Sequence, residues 1–247
     1  MEFSSTEPRL SSYLHARACR SGTPLAGNFE LTARCNFNCK MCYVHLTAEE
    51  QQRRGRELTA DEWLAIAQEA RSRGMLFLLL TGGEPLIRKD FRYLLTELKK
   101  MGLLVSVNSN GSLIDRDWLD FFRHEPPFRF NITLYGADDA AYEALCRCPG
   151  GFEKALAAVR LLRARGVDVK LNGSITPENV GEMDRLYAIA RQLDVPMHMD
   201  AYMMPGGPGR QNPAEGVRLA PAQAAAARLH ALEAETDPAA LDAWAEE

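Results

Sequence analysis

Met75-Leu76-Phe77-Leu78-Leu79-Leu80-Thr81-Gly82-Gly83-Glu84-Pro85 is an unbroken apolar run of strand length that stops at a glycine pair. A strand without polar alternation is buried on both faces, which suits a parallel sheet covered by helices. The flanks supply those helices. Upstream, Thr59-x-x-Glu62 is a capping box opening a helix over Asp61–Arg73. Downstream, a helix covers Phe91–Met101 and stops at Gly102. The same alternation continues outward in both directions. Further strands are expected at Asn28–Thr32, Leu103–Val107, Phe128–Leu134, Val167–Leu171 and after Pro196. Between them lie helices at Asp115–Phe122, Phe152–Arg165 and about Asn179–Leu193, and Pro221 opens a last, Ala-rich helix. The connection from Tyr135 to Gly151 is longer than the rest, and Gly206-Gly207-Pro208-Gly209 reads as a loop. Six strand–helix units with right-handed crossovers make an α/β protein with a parallel sheet. Periodicity alone leaves a partial barrel and an open doubly wound sheet both standing.

Composition narrows the function classes. The 247 residues are 46% hydrophobic and 25% charged, ordinary values for a chain with a real core. Lys+Arg 29 against Asp+Glu 33 gives a net charge of −4, so no basic field points to nucleic acid. Eleven of the 27 residues from Pro221 to Glu247 are Ala, and that stretch holds −5 of the charge. The longest apolar run, Met75–Leu80, is far short of the roughly 20 residues that span a bilayer. Met1-Glu2-Phe3-Ser4 has no basic or apolar signal region, and six cysteines are too sparse for a disulfide scaffold. A reducing compartment, the cytoplasm, is the expected location.

The unusual residues collect at the carboxyl ends of the expected strands, the edge where α/β proteins build their sites. Cys35-Asn36-Phe37-Asn38-Cys39-Lys40-Met41-Cys42 follows the first strand, Gly82-Gly83-Glu84-Pro85 the second, and Asn108-Ser109-Asn110-Gly111 the third. Thr133, Asn172 and Met203-Met204-Pro205 end the fourth, fifth and sixth. Turns collect Gly, Asn and Pro without any function, but that does not explain three cysteines in eight residues. Soft thiolates on a short C-x3-C-x2-C loop select zinc or iron–sulfur. A structural zinc wants a fourth protein ligand, for which His45 is the nearest candidate. A four-iron cluster on three cysteines leaves one iron open to a small chelating molecule.

The cysteine loop together with Gly82-Gly83-Glu84-Pro85 resembles the paired signatures of radical S-adenosylmethionine (SAM) enzymes, over roughly Phe29 to Pro205. Phe29-Glu30-Leu31-Thr32, Cys42-Tyr43-Val44 and Ile132-Thr133-Leu134-Tyr135-Gly136 look most like members that carry an auxiliary-cluster (SPASM) domain and act on peptides. The resemblance implies a partial (β/α)6 TIM-like barrel. It implies a [4Fe–4S] cluster on Cys35, Cys39 and Cys42 with SAM on the open iron, and reductive cleavage to a 5′-deoxyadenosyl radical that takes hydrogen from substrate. Gly82 and Gly83 would let the backbone approach the methionyl group, with Glu84 balancing its ammonium and Pro85 closing the motif. Ser109, Asn110 and Thr133 fall where ribose and carboxylate contacts are made in the family, and Lys170, Asn172 and Met204 where related barrels touch SAM. Thr133 and Asn172 read equally as polar strand caps, and Lys170 as a solvated side chain. Met41 stands where many members place an aromatic residue on adenine, a substitution that its polarizable thioether tolerates. An electron donor such as flavodoxin or ferredoxin and a peptide or protein substrate are the implied partners, with no nucleic acid and no membrane.

Domain organisation is expected as a lead-in over 1–27, a core over 28–205 and an acidic Ala-rich helical extension or linker over 206–247. Peptide-modifying members usually continue into a cysteine-rich region, yet no cysteine follows Cys148. The chain is thus either truncated or a short member with one cluster. Cys146-x-Cys148 lacks the spacing for a second cluster and, with Cys19, reads as structural or free thiol. Two rivals remain: a radical SAM enzyme acting on a small molecule, as in cofactor biosynthesis, and a non-catalytic zinc-stabilised module.

Overall fold

A computed structural model of the chain describes residues 10–204 and 215–237. Pro205 and the expected loop Gly206–Gly209 lie outside the described residues. Helix α1 (Leu10–Ser21) leads into β1 (Ala26–Glu30), α2 (Ala48–Arg54), α3 (Ala60–Ser72), β2 (Phe77–Thr81), α4 (Phe91–Lys100) and β3 (Leu104–Ser109). Then follow α5 (Arg116–His124), β4 (Arg129–Thr133), α6 (Asp139–Cys146), α7 (Gly151–Arg163), β5 (Val169–Ser174), α8 (Met183–Gln192), β6 (Met197–Asp200) and α9 (Pro221–Glu235). The strands lie in sequence order in one sheet, and every neighbouring pair is parallel. This is the expected α/β architecture, a partial six-stranded barrel.

The helix-facing positions of the strands are apolar and buried, among them Leu78, Leu80, Val105, Val107, Phe130, Ile132, Val169 and Leu171. They share one core with Leu94, Leu95 and Leu98 of α4 and Leu156, Val159 and Leu162 of α7. Each large apolar side chain withdrawn from water there contributes about 1.5–3 kcal/mol. On the alternate positions the strand tips carry Thr81, Asn108, Thr133 and Ser174, all of which line one cavity.

Two strands run further than expected, β3 to Ser109 and β5 to Ser174. Their polar ends are held in the ladder, Asn108 opposite Asn131, Thr133 opposite Asn172 and Ser174 opposite Asp200. Sheet pairing thus overrides the turn-like composition. Three helices, α1, α2 and α6, were not expected. Helix α9 packs on β6, where Glu235 accepts from Met199 N and Tyr187 Oη, both at 2.7 Å. Its carboxylate therefore covers a donor on the outer edge of the sheet. Among the described residues, no helix is long and apolar enough to cross a membrane.

One buried cation braces the cysteine loop from behind. Arg88 is 5% exposed. It donates to the carbonyls of Leu31 (2.9 Å) and Leu58 (3.0 Å) and makes a two-point contact with Asp90 (2.9 and 2.7 Å). Glu57, its further ion-pair partner at 3.7 Å, also takes a two-point contact from Arg34. The Arg34 and Thr32 hydrogen bonds and the two guanidinium charges hold the Glu57 carboxyl below its ordinary range against the opposing effect of burial. Replacing Arg88 with alanine would take a donor from the Leu31 and Leu58 carbonyls and the cation from the part-exposed Asp90. We expect a loss of about 1–3 kcal/mol, the usual cost of leaving buried polar groups unsatisfied, read as a lowered urea midpoint.

Candidate active site

The cysteine loop is sewn to the end of β2 by backbone hydrogen bonds. Leu31 N donates to Thr81 O (2.9 Å), Gly83 N to Thr32 O (2.7 Å) and Glu84 N to Arg34 O (2.9 Å). Its apolar members Phe37 and Met41 are buried, and Phe37 meets Tyr142 of α6 edge-on at 6.4 Å. On that side Asn38 N and Lys40 N donate to Cys146 O (3.4 Å) and Leu145 O (2.9 Å). The loop is therefore anchored at both ends, and its three thiols open onto the same cavity.

That cavity, about 230 Å³ and open to solvent, lies over the carboxyl ends of the strands. Of the residues expected there, Cys35, Cys39, Cys42, Met41, Gly82, Gly83, Ser109, Asn110, Thr133 and Met204 line it. Glu84, Pro85, Lys170 and Asn172 do not. Pro85 is buried at the start of a short 3-10 turn, Pro85–Ile87. Asn172 sits one pleat deeper than the strand tip because β5 continues to Ser174, and its buried Oδ1 has no hydrogen-bond partner. Lys170 is deeper still, opposite Asn131, and burial lowers its pKa.

The sequence places Asn108 and Met203 at strand ends and carries the family likeness through Tyr43, Val44 and Tyr135, without giving them a site role; with Thr81, Phe37, Ser174 and Tyr202 they complete the lining. Counting in twos along each strand from its tip would have found Thr81, Asn108 and Ser174. Tyr202, Met203 and Met204 lie in the segment after β6 and carry no period.

Glu84 is fully buried. Its Oε1 accepts from Leu86 N (3.1 Å) and Ser109 Oγ (3.0 Å), and its Oε2 from Asn110 N (2.8 Å) and Ser109 Oγ (3.1 Å). The carboxyl thus ties the loop after β2 to the end of β3 and the loop that follows it. Asn110 passes the tie on, donating through Nδ2 to Asn36 Oδ1 (2.9 Å) in the cysteine loop. Burial raises the Glu84 pKa from 4.5 to about 7 against the opposing pull of those donors. A raised carboxyl pKa means that the folded state holds its proton more tightly than the unfolded state. Its contribution is full below pH 4.5 and is lost as pH rises to about 7. Denaturation of the cofactor-free chain across that window should show stability falling by about 3 kcal/mol at most, with the slope flattened in Glu84→Gln.

The glycine pair also serves the chain. A Cβ on Gly82 would fall 2.4 Å from Thr32 O, and one on Gly83 2.2 Å from Arg34 O and 3.1 Å from Cys35 Cβ. The space freed by the missing side chains is filled by the backbone of the cysteine loop, which reaches the strand end only because both positions are glycine.

The donor set fits an iron–sulfur cluster. Three thiols face one cavity. Cys35 accepts from Phe37 N (3.3 Å) and lies 3.8 Å from Asn110 Nδ2, and Cys42 accepts from His45 N (3.2 Å). Burial pushes the Cys35 thiol up to about 12, whereas the Cys146 contact lowers that of Cys39. Among the described residues no three His, Cys, Asp or Glu groups stand gathered at metal-binding separation. Metal would draw the thiols together on binding, as is common where a site completes itself around its ion. His45 does not line the cavity; it lines an adjoining recess with Arg34, Cys35, Leu46, Thr47 and Gln51, so Cys35 borders both.

Residues 29–190 match the radical SAM superfamily. The chain is 29% identical over 184 residues to the AdoMet-dependent heme synthase of Methanosarcina barkeri, covering 74% of this chain and 52% of that protein. It is 29% identical over 170 residues to the PqqA peptide cyclase of Gluconobacter oxydans, covering 69% and 47%. In fold it is similar to Streptococcus suis SuiB bound to precursor peptide SuiA, with TM-score 0.63, 15% identity, and coverage of 81% and 47%. The chain spans about half the length of the curated relatives it matches. It belongs to the radical SAM superfamily, whose cofactors are a [4Fe–4S] cluster and S-adenosylmethionine.

Proposed function

We propose that this radical SAM chain, with residues 28–205 as its core, carries the catalytic centre of an enzyme that takes hydrogen from a peptide or protein side chain. The observation that carries the reading is the convergence of Cys35, Cys39 and Cys42 on the cavity that the strand tips floor. When bound, the cluster and the sulfonium supply the hard chemistry, a one-electron reductive cleavage yielding a carbon radical that can abstract hydrogen. The chain's own part is to bind, orient and keep dry. Thr81, Asn108, Asn110, Thr133 and Ser174 offer hydroxyl and amide groups to the polar parts of SAM along the floor. Phe37, Met41 and Met203 are buried in the wall and exclude water. Glu84 holds the β3 loop in place beneath.

The mouth supports a large substrate. Tyr43, Tyr202 and Met204 are exposed at the cavity, an apolar rim suited to side chains of a polymer. The peptide cyclase relative supports the same reading. The heme synthase relative at equal identity favours a second one, a small-molecule substrate. After anaerobic reconstitution, dithionite and SAM should release 5′-deoxyadenosine. With substrates deuterated throughout, deuterium should pass into that product from a peptide encoded near the gene. Transfer from a tetrapyrrole instead would select the small-molecule reading, and no 5′-deoxyadenosine from cluster-loaded protein would end both.

A further inference from the structure

Asn179 is fully buried, lies outside the cavity lining and has no part in the mechanism above. We infer that Asn179 is a positioning residue, whose amide bridges the carbonyls of Tyr135 and Ser174 and so fixes the gap between β4 and β5 where SAM is held. This rests on the proposed reading of the cavity as the SAM site.

The ladder between these two strands stops short of the cavity. Its register ends with Thr133 opposite Asn172, and Leu134 N donates one further bond to Asn172 O (2.9 Å). Past that point the strands part. β5 goes on beside β6, with Ser174 opposite Asp200, while the chain after β4 leads to α6. The carbonyls of Tyr135 and Ser174 lie just beyond the parting, and Asn179 Nδ2 donates to both, at 2.8 and 2.9 Å. A buried side chain thus bridges where the backbone no longer does. The partners also fix which way the amide points. Its Oδ1 accepts from Thr176 N (2.7 Å) and Thr176 Oγ1 (3.4 Å). Turned over, the amide would set its oxygen against two carbonyls and its NH2 against an N–H, so one orientation alone satisfies every partner.

Both carbonyls belong to residues whose side chains line the cavity. Ser174 is the tip of β5, and Tyr135 follows Thr133 by two positions, so a shift of either carbonyl moves polar groups of the floor. The turn that carries Asn179 reaches a third wall, since Glu178 pairs with Lys40 of the cysteine loop at 3.5 Å. Just beyond it, Glu182 accepts from Ala137 N (3.0 Å) and holds the chain after β4 to the same side. A corner held in advance spares SAM the cost of ordering these groups as it binds. The competing account is that Asn179 only closes its own turn. The Oδ1 contact with Thr176 N and the bond from Asn179 N to Thr176 O (3.2 Å) would do that without Nδ2.

The test uses the full chain, anaerobically reconstituted to equal iron content, as wild type, Asn179→Asp, Asn179→Ala and Leu162→Val. Asn179→Asp keeps the turn-closing acceptor and loses the NH2 group. Leu162→Val removes one buried methylene from the last turn of α7, outside the cavity lining, and controls for lost stability. SAM affinity is read by equilibrium dialysis with labelled SAM and no reductant, so turnover does not enter. Both Asn179 variants should bind SAM about three- to tenfold more weakly, the equivalent of one net hydrogen bond. Leu162→Val should match wild type. Wild-type affinity in either Asn179 variant overturns the inference. Equal weakening in Leu162→Val overturns it too, by tracing the effect to general loosening. If neither Asn179 variant folds, amide exchange of the wild type decides. The Thr176 N–H, whose acceptor is Asn179 Oδ1, should exchange slowly without SAM, and fast exchange there contradicts a corner held in advance. A wild type that takes up no cluster, or takes one up and binds no SAM, overturns the functional reading itself, an outcome separate from any of these.

Discussion

Alanine at Cys35, Cys39 or Cys42 should abolish 5′-deoxyadenosine release and leave the reconstituted protein short of a full cluster. Removing even an outer partner of a metal ligand costs about 10–100-fold in affinity or activity, and losing a ligand exceeds that. The barrel should survive, because most of its core lies between strands and helices and the thiols of Cys35 and Cys39 only pack against the edge of that core. Iron analysis, product assay and circular dichroism on the same samples check all three parts. Full iron loading and unchanged turnover in any of these variants would remove that cysteine from the ligand set.

Gly83→Ala should come close to the same functional loss by a mechanical route. The added Cβ would stand 2.2 Å from Arg34 O and 2.7 Å from Arg34 C. These are backbone atoms, with no flexible side-chain end to turn aside. Arg34 O is also the acceptor for Glu84 N at 2.9 Å, so the loop cannot retreat without giving up that bond. Overpacking of this kind costs about 1–3 kcal/mol, and the released hydrogen bond adds about 1 kcal/mol more. The displaced segment carries Cys35 with it. The measurements are a urea midpoint and iron uptake, both lowered, and an unchanged iron content would show that the loop absorbs the strain elsewhere.

Much of the scaffold was legible because buried parallel strands announce themselves as short apolar runs. Met75–Leu80 marks β2 to within two residues at its start, and Thr59-x-x-Glu62 is the observed capping box of α3. What escaped notice had no such signature. Helix α2 is Ala48-Glu49-Glu50-Gln51-Gln52-Arg53-Arg54, without an apolar stripe, although Thr47 and Glu50 form a capping box. Helix α6 was hidden in a stretch that read only as a long connection. The polar ends of β3 and β5 looked like turns, which left Asn172 at a strand tip that Ser174 occupies. Chemistry was more legible than its support. The three cysteines and the glycine pair stand out as residue types, but the environment of Glu84 depends on Ser109 and Asn110, over twenty positions away. That relation exists only once the sheet has formed.

The clasp between Lys40 and Leu145 also sets an order of events in the living cell. All three thiols leave the ribosome roughly a hundred residues before the segment that steadies them, a delay on the order of 5–20 seconds at ordinary elongation rates. During that interval the nascent chain displays a loose trio of reactive sulfurs, open to oxidants and to stray ions. When the clasp closes, the steadied loop is still short of its full surroundings, because Ser174, Tyr202, Met203 and Met204, which complete the pocket, emerge later.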